Sequence, residues 1–369
     1  MSRTTRRPQC LSNITFALHI VVSAITAFSI AEPAHAQSSL QLVGQVDDWA
    51  GVQKLPSKPM AWEDGGGGMS ESYFALHGKE DLGSNWSTVF ALEAFFQPQN
   101  GQSGRFTGDS FFSRDAYFGI DSPYGTLTFG RITTPLFIST ILFNPFVDSY
   151  TFSPMIFQTY LGQGTYPSYA TDQGVIGDSG WNNAVSYATP NFAGLSGTFI
   201  YAFGGTPGEA GAHKSSAQLL FSNGPVGATV VYQYVNFNSQ PLDLNDPSAT
   251  STVPGLRSQK VFQTGLTYDF QVVKLFGQYM RTANAVEGGD YDVNTVQAGV
   301  TVPISLGSLM ASYVRSTDSG GMQQHRNTWA VGYDYPLSPH TDVYAAFMHD
   351  EFNGESPGET AGVGMRAKF

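Results

Sequence analysis

The last eleven residues, Glu359 to Phe369, alternate apolar and polar and stop on an aromatic side chain, with no turn former after the glycines. Successive side chains of a strand face opposite ways, so Ala361, Val363, Met365, Ala367 and Phe369 share one face while Arg366 and Lys368 share the other. The charged face needs water, and a chain that ends inside a strand leaves an open edge unless that edge is paired. A β-barrel closed on itself, apolar outside and wet inside, meets both demands. One half of a β-sandwich would meet only the first.

The N-terminus reads as an export leader. Arg3, Arg6 and Arg7 precede a mostly apolar stretch from Phe16 to Ile30, and Ala34-His35-Ala36 has the small-x-small pattern of a cleavage site. Residues 1–36 are therefore expected to be a cleaved signal peptide, and residues 37–369 a single domain. The apolar run is short for a membrane-spanning helix, which needs roughly 20 residues. Cys10, the only cysteine, would leave with the leader, so neither a disulfide framework nor a cysteine metal site is expected.

Removing Arg3, Arg6, Arg7 and Glu32 with the leader leaves 15 basic against 28 acidic side chains, a formal net charge of −13. Such a balance argues against nucleic acid as a partner, because a phosphate backbone selects basic surface. No later run of 18 apolar residues occurs, which rules out helical spans but says nothing of strands, where only alternate residues meet lipid.

Read for period two, the chain gives sixteen strands, at about 39–52, 69–79, 86–97, 111–120, 124–131, 182–189, 195–202, 215–223, 226–236, 258–269, 271–281, 291–302, 306–315, 325–335, 342–350 and 359–369. Their connections alternate long and short: 53–68 is long, Asp81 to Asn85 tight, 98–110 long, Asp121-Ser122-Pro123 tight, and so on to the end. Short turns on one side of a membrane and long loops on the other produce this rhythm, and an even count lets the first and last strands pair. The strand at 291–302 changes phase, from Tyr291 and Val293 to Val296, Ala298 and Val300, which predicts a β-bulge or a misplaced boundary there. Tyr268, Tyr279, Tyr313, Tyr335 and Phe369, all near strand ends, are candidates for aromatic girdles.

One connection does not fit the rhythm. Residues 132–181 are too many for a structureless loop inside a compact domain, and they carry apolar runs such as Ile138 to Phe143. An apolar, partly helical segment folded back into the barrel gives those side chains a wall to pack on and narrows the hole. Asp148, Asp172 and Asp178 are its acidic candidates, each equally readable as a solvated or capping loop residue.

Several segments, in order, resemble a family. Leu40 to Asp47, Ser72 to Gly83 followed by Phe90-Ala91-Leu92-Glu93, Arg114 to Ile120 with Tyr124 to Arg131, and Asn183 to Tyr187 with Pro190 to Leu195 are similar to stretches of the trimeric general porins of proteobacterial outer membranes, in particular the beta-proteobacterial branch. The terminal Phe369 matches the assembly signal of that family. The resemblance implies an all-β fold, a transmembrane antiparallel barrel of sixteen strands with a long inward-folded third outer loop. It also implies a homotrimer, set in outer-membrane lipid and lipopolysaccharide, and a water-filled channel for small hydrophilic solutes and ions.

The same resemblance marks Arg114 as a wall arginine and Arg131 as a strand-end arginine of the constriction. Arg131 shares the parity of Leu127 and Phe129, which leaves its lumen role open. Where the branch has two arginines in its second strand, this chain has Tyr73 and His77, and a histidine is largely neutral near pH 7. With the net charge of −13, that loss predicts a general diffusion pore that is weakly selective or cation-preferring.

The alternative is a substrate-specific channel with saturable, solute-blockable conductance. A third reading, a structural barrel with a filled lumen, is compatible with the long third loop. An enzyme is not expected: the seven histidines, at 19, 35, 77, 213, 325, 340 and 349, lack catalytic or ligand-like spacing. No cofactor or metal is expected, since no spaced oxygen-ligand loop of a dedicated calcium site occurs.

Overall fold

The computed structural model describes residues 38–161, 174–176, 179–204, 213–236, 256–320 and 325–369. The leader, Asp172 and Asp178 lie outside the described residues.

Strands β1 (Ser39–Lys54), β2 (Ala61–Gly66), β3 (Tyr73–Gly83), β4 (Trp86–Gln97), β5 (Gln102–Ser103), β6 (Ala116–Ser122) and β7 (Gly125–Thr133) form the first half. Then follow β8 (Gly180–Ala188), β9 (Leu195–Phe203), β10 (His213–Asn223), β11 (Val226–Asn236), β12 (Leu256–Asp269) and β13 (Lys274–Val286). The second half ends with β14 (Tyr291–Ile304), β15 (Gly307–Ser319), β16 (His325–Ser338), β17 (Thr341–Phe352) and β18 (Gly358–Lys368). Every neighbour is antiparallel, and β1 pairs with β18 from Gln45↔Lys368 to Lys54↔Glu359, so the sheet closes. The short β2 and β5 are additions to β1 and β4; without them the closed barrel has sixteen strands.

Closure uses the last residue. Phe369 and Gly44 exchange backbone hydrogen bonds of 2.9 and 3.0 Å, which pairs the final amide and carbonyl that would otherwise face hydrocarbon. The two faces of β18 separate as the alternation requires. Val363 and Met365 are exposed on the outside, while the Arg366 guanidinium bonds the Asp342 and Asp334 carboxylates inside. All five girdle candidates lie on outward-facing positions, with Tyr268, Tyr313 and Phe369 exposed and the Tyr279 hydroxyl donating to Asn294 Oδ1 at 2.8 Å.

Several elements depart from the sequence reading; β6 begins at Ala116 rather than at 111, and β13 spans Lys274–Val286 rather than 271–281. The strand expected at 69–79 is displaced to Tyr73–Gly83, because residues 67–72 leave the wall and dip into the barrel. They are held there by the Asp47 carboxylate, which accepts the backbone N–H groups of Gly68, Met69 and Ser70 at 3.0–3.1 Å. The bulge expected in 291–302 is not present: β14 pairs without interruption with β13 and β15. The phase change has another cause. Tyr291 and Val293 face inward, where they join Trp181, Ile200, Ala202, Val235 and Leu256 in an apolar cluster, whereas Val296 is exposed on the outer surface.

Inside the barrel, residues 134–161 build two short helices. Each begins with a hydroxyl cap followed by proline: Thr134 Oγ1 accepts the Phe137 N–H before Pro135–Leu142, and Ser153 Oγ accepts the Ile156 N–H before Pro154–Thr159. The first helix packs on β9 to β12, the second on β15 and β16. The wall is shaped to receive them. Buried glutamines of β12 to β14 hold the segment by its polar groups: Gln278 Nε2 donates to the carbonyls of Phe143 (2.7 Å) and Thr140 (3.0 Å), and Gln263 Nε2 to Thr140 Oγ1 at 2.9 Å. Glycines leave room for its rings, Gly265 facing Phe143, Gly299 facing Pro145 and Gly332 facing Phe146.

Candidate functional site

The inner face of β3 carries Tyr73 and His77, four residues apart and so on one side of the strand. The neighbouring β4 sets Glu93 opposite Ala75, between them. Glu93 is buried and joins two side chains: His77 Nε2 lies 2.7 Å from Oε1, and Arg114 Nη1 donates to Oε2 at 2.5 Å. The Arg114 guanidinium also stacks on Tyr73, with Cζ 4.0 Å from the ring centroid, a cation–π contact that fixes its plane. Its side chain keeps 32% of its surface open.

Arg114 precedes β6 in an irregular stretch, which removes the ambiguity of strand parity. Arg131 sits elsewhere. The register of β7 against β8 slips between Gly130 and Ile132, and this bulge turns Arg131 away from the side of Leu127 and Phe129. Its Nε donates to the Ser113 carbonyl and its Nη1 to Asn182 Oδ1, both at 2.8 Å, and it is buried. It braces the root of the inward segment and offers little surface to the pore.

Asp148, on the tip of that segment, accepts from Ser70 Oγ at 3.0 Å and interacts electrostatically with Arg114. Burial holds the Asp148 carboxyl above its ordinary pKa. Glu71, in the 67–72 excursion, is pushed up to about 7 by burial first and by the nearby Asp148 charge second. Between Ile132 and Val147 the segment carries no charged residue. The structure thus brings together Tyr73, His77, Arg114 and Asp148, and sets Arg131 apart. Sequence reading gave no role to Glu93, Asp47, Glu71 or Ser70. For Glu93 a signal existed, an acid at an inward position of an otherwise apolar strand. For the other three there was none, since the 67–72 excursion has no pattern of its own.

Residues 21–355 match the family model described as Gram-negative porin. An outer membrane porin protein of Bordetella pertussis is 25% identical, over 95% of this chain and 99% of its own. Outer membrane porin protein 32 of Delftia acidovorans is 27% identical, over 94% and 92%. Among solved structures, an anion-selective porin from Comamonas acidovorans superposes with a TM-score of 0.74 at 22% identity, covering 90% of this chain and all of its own. That match overturns the expectation of a general pore that is weakly selective or cation-preferring. The physical error lay in using net charge. The acids that act on Arg114 are bonded or shifted: Glu93 is shared by Arg114 and His77, and burial makes Asp115 and Asp148 hold protons more tightly than free carboxyls. The overall −13 is therefore not the charge a solute meets at the narrow section.

Proposed function

The chain belongs to the Gram-negative porin family and is a transport protein of the outer membrane rather than an enzyme, and from that premise we propose that it is a selective channel for small anionic solutes. The observation that carries this reading is Arg114, held flat against Tyr73 and partly open to water, in a barrel whose inward segment carries no charged residue from Ile132 to Val147. A fixed guanidinium in a narrow, low-dielectric passage attracts anions more strongly than it would in bulk water, and its remaining donors match a carboxylate or phosphate. Glu93 orients the fork. The selective reading agrees with the anion selectivity of the Comamonas porin.

Assembly as a trimer is part of this proposal. The OmpT protein of Vibrio cholerae, which shares the fold at a TM-score of 0.63, is known in a trimer form. On the outer surface of this barrel, Asp48 lies beside Val363 and Met365, and its Oδ1 is buried without a hydrogen-bond partner among the described residues. A carboxylate at that position is costly against lipid and fits a flank covered by a neighbouring subunit. Lipopolysaccharide would surround the rest of the trimer.

The test is the zero-current potential of bilayer-inserted protein under a KCl gradient, for the native chain and for Arg114→Gln. An anion-directed potential that falls markedly in R114Q supports the reading. A potential that R114Q leaves unchanged removes Arg114 from the selectivity filter.

A further inference from the structure

The outward faces of β12 to β15 change character at one level. Toward the short turns they present Leu266, Leu275 and Leu309, all exposed, and toward the long loops Lys260, Arg281 and Arg315. The alternation fixes this orientation: Phe262, Val296 and Tyr313 are exposed outside, whereas Gln263, Gln278 and Val314, of the opposite parity, are buried inside the barrel. The register brings the three cations together. Lys260 pairs with Ala283, which makes Arg281 its diagonal neighbour across β12 and β13, at about 7–8 Å by strand geometry. Arg281 pairs with Asn294 of β14, and Arg315 of β15 pairs with Val296, two residues further along β14. Arg315 thus stands two strands, about 10 Å, across from Arg281 and about 7 Å closer to the short turns.

Arg281 donates from Nη2 to Asp292 Oδ2 at 2.6 Å, and Asp292 is the one acid on this outward face. Lys260 and Arg315 are exposed and have no hydrogen-bond or ion-pair partner among the described residues. A cation on the lipid side of a barrel is costly at mid-depth and tolerated at the interface, so these positions mark the headgroup level under the long loops. Whatever covers them meets an apolar band just below, at Phe262, Val296 and Tyr313. None of these four strands lines the groove around Asp48. We propose, resting on the outer-membrane placement rather than on the anion-channel reading, that Lys260, Arg281 and Arg315 dock the phosphates of an outer-leaflet glycolipid of the lipopolysaccharide type, its acyl chains lying on Phe262, Val296 and Tyr313. Lys260 and Arg315 supply the charge that Asp292 does not neutralise. A soluble acidic protein would answer the cations but not the apolar band beneath them.

The probe is diphosphoryl lipid A, titrated into the intact protein in neutral detergent, with bound lipid counted by native mass spectrometry; dephosphorylated lipid A is the comparison. Lys260→Gln and Arg315→Gln each remove a charge without stranding a partner, so both are expected to fold as the native chain does. With about a fivefold effect for each cation beside an anionic lipid, the double variant should bind diphosphoryl lipid A roughly 25-fold more weakly. Lys58→Gln, in the loop after β1, should leave binding unchanged. Native-strength binding in K260Q/R315Q, an equal loss in K58Q, or equal binding of the dephosphorylated lipid would overturn the inference. The zero-current potential of K260Q/R315Q under a KCl gradient should equal that of the native protein, so the lipid site and the channel reading fail separately. A shifted potential would place these cations in the pore and overturn the docking site.

Discussion

Substituting alanine for Gly299 tests whether the wall sets the position of the inward segment. A Cβ built on Gly299 would stand 2.5 Å from Pro145 Cγ and 2.8 Å from Cδ. Carbon atoms rest at about 3.5–4.0 Å, so one of the two must retreat by about 1 Å. Pro145 has no rotamer with which to yield. Asn144 before it is tied to Val147 and Ser153, and Phe146 after it is buried against Gly332. The tip should therefore move as a unit, off the wall and toward open water, at an overpacking cost of about 1–3 kcal/mol. Gly277 is the internal control, because its added Cβ meets nothing nearer than the Gln297 carbonyl at 4.0 Å. Single-channel conductance and thermal unfolding of the folded protein read the two effects. G299A should lower both the unitary conductance and the melting temperature, and G277A should change neither by a comparable amount. If G299A conducts and melts like the native protein, or if G277A does the same damage, the sockets do not position the tip.

Other outcomes follow from the buried polar contacts. Glu71 has a pKa near 7 in the fold against an ordinary 4.5, so the folded state binds this proton more tightly and protonation stabilises it: stability grows as pH falls through about 7, levels off below 4.5, and Asp148 adds in the same direction. Urea midpoints at pH 5 and pH 8 should differ accordingly, and Glu71→Gln should flatten that dependence; an unchanged slope would show that Glu71 is not the titrating group. Asp47→Ala strands three backbone N–H groups and the Tyr344 hydroxyl, and with about 1–3 kcal/mol for each buried unsatisfied donor, less than additive, a loss of at least about 3 kcal/mol is expected in urea unfolding. Gln278→Ala removes both carbonyl contacts that pin the first loop helix and should increase open-channel noise more than it lowers the global melting temperature.

The barrel was legible in the sequence because its physics is local. Each strand must alternate where one face meets lipid and the other water, and each short turn carries its own Pro, Gly, Asn or Asp, so β4, β9, β11 and β15 fall close to where period two put them. Features that depend on a second segment were not legible. Tyr291 and Val293 looked like a register fault because the sequence cannot show that Trp181 and Ile200 wait on the inner wall to cover them. The role of Arg131 stayed open because a one-residue bulge at Gly130 reverses parity without altering composition. The excursion at 67–72 is written in Asp47, some twenty residues earlier, and the anchoring glutamines of β12 to β14 read from sequence as ordinary wet-face residues. The misjudged selectivity has the same origin: a charge count is additive over the chain, whereas the field in a passage depends on which few carboxyls are paired, protonated or distant.

Selectivity is read most directly from the sign of the zero-current potential when the native protein, inserted in a neutral bilayer, separates a concentrated from a dilute KCl solution at pH 7. Arg114 on Tyr73, with the acids around it paired or holding protons more tightly than free carboxyls, predicts a potential set by chloride. A potential set by potassium would contradict it and return the acidic residues of the chain to control of the pore.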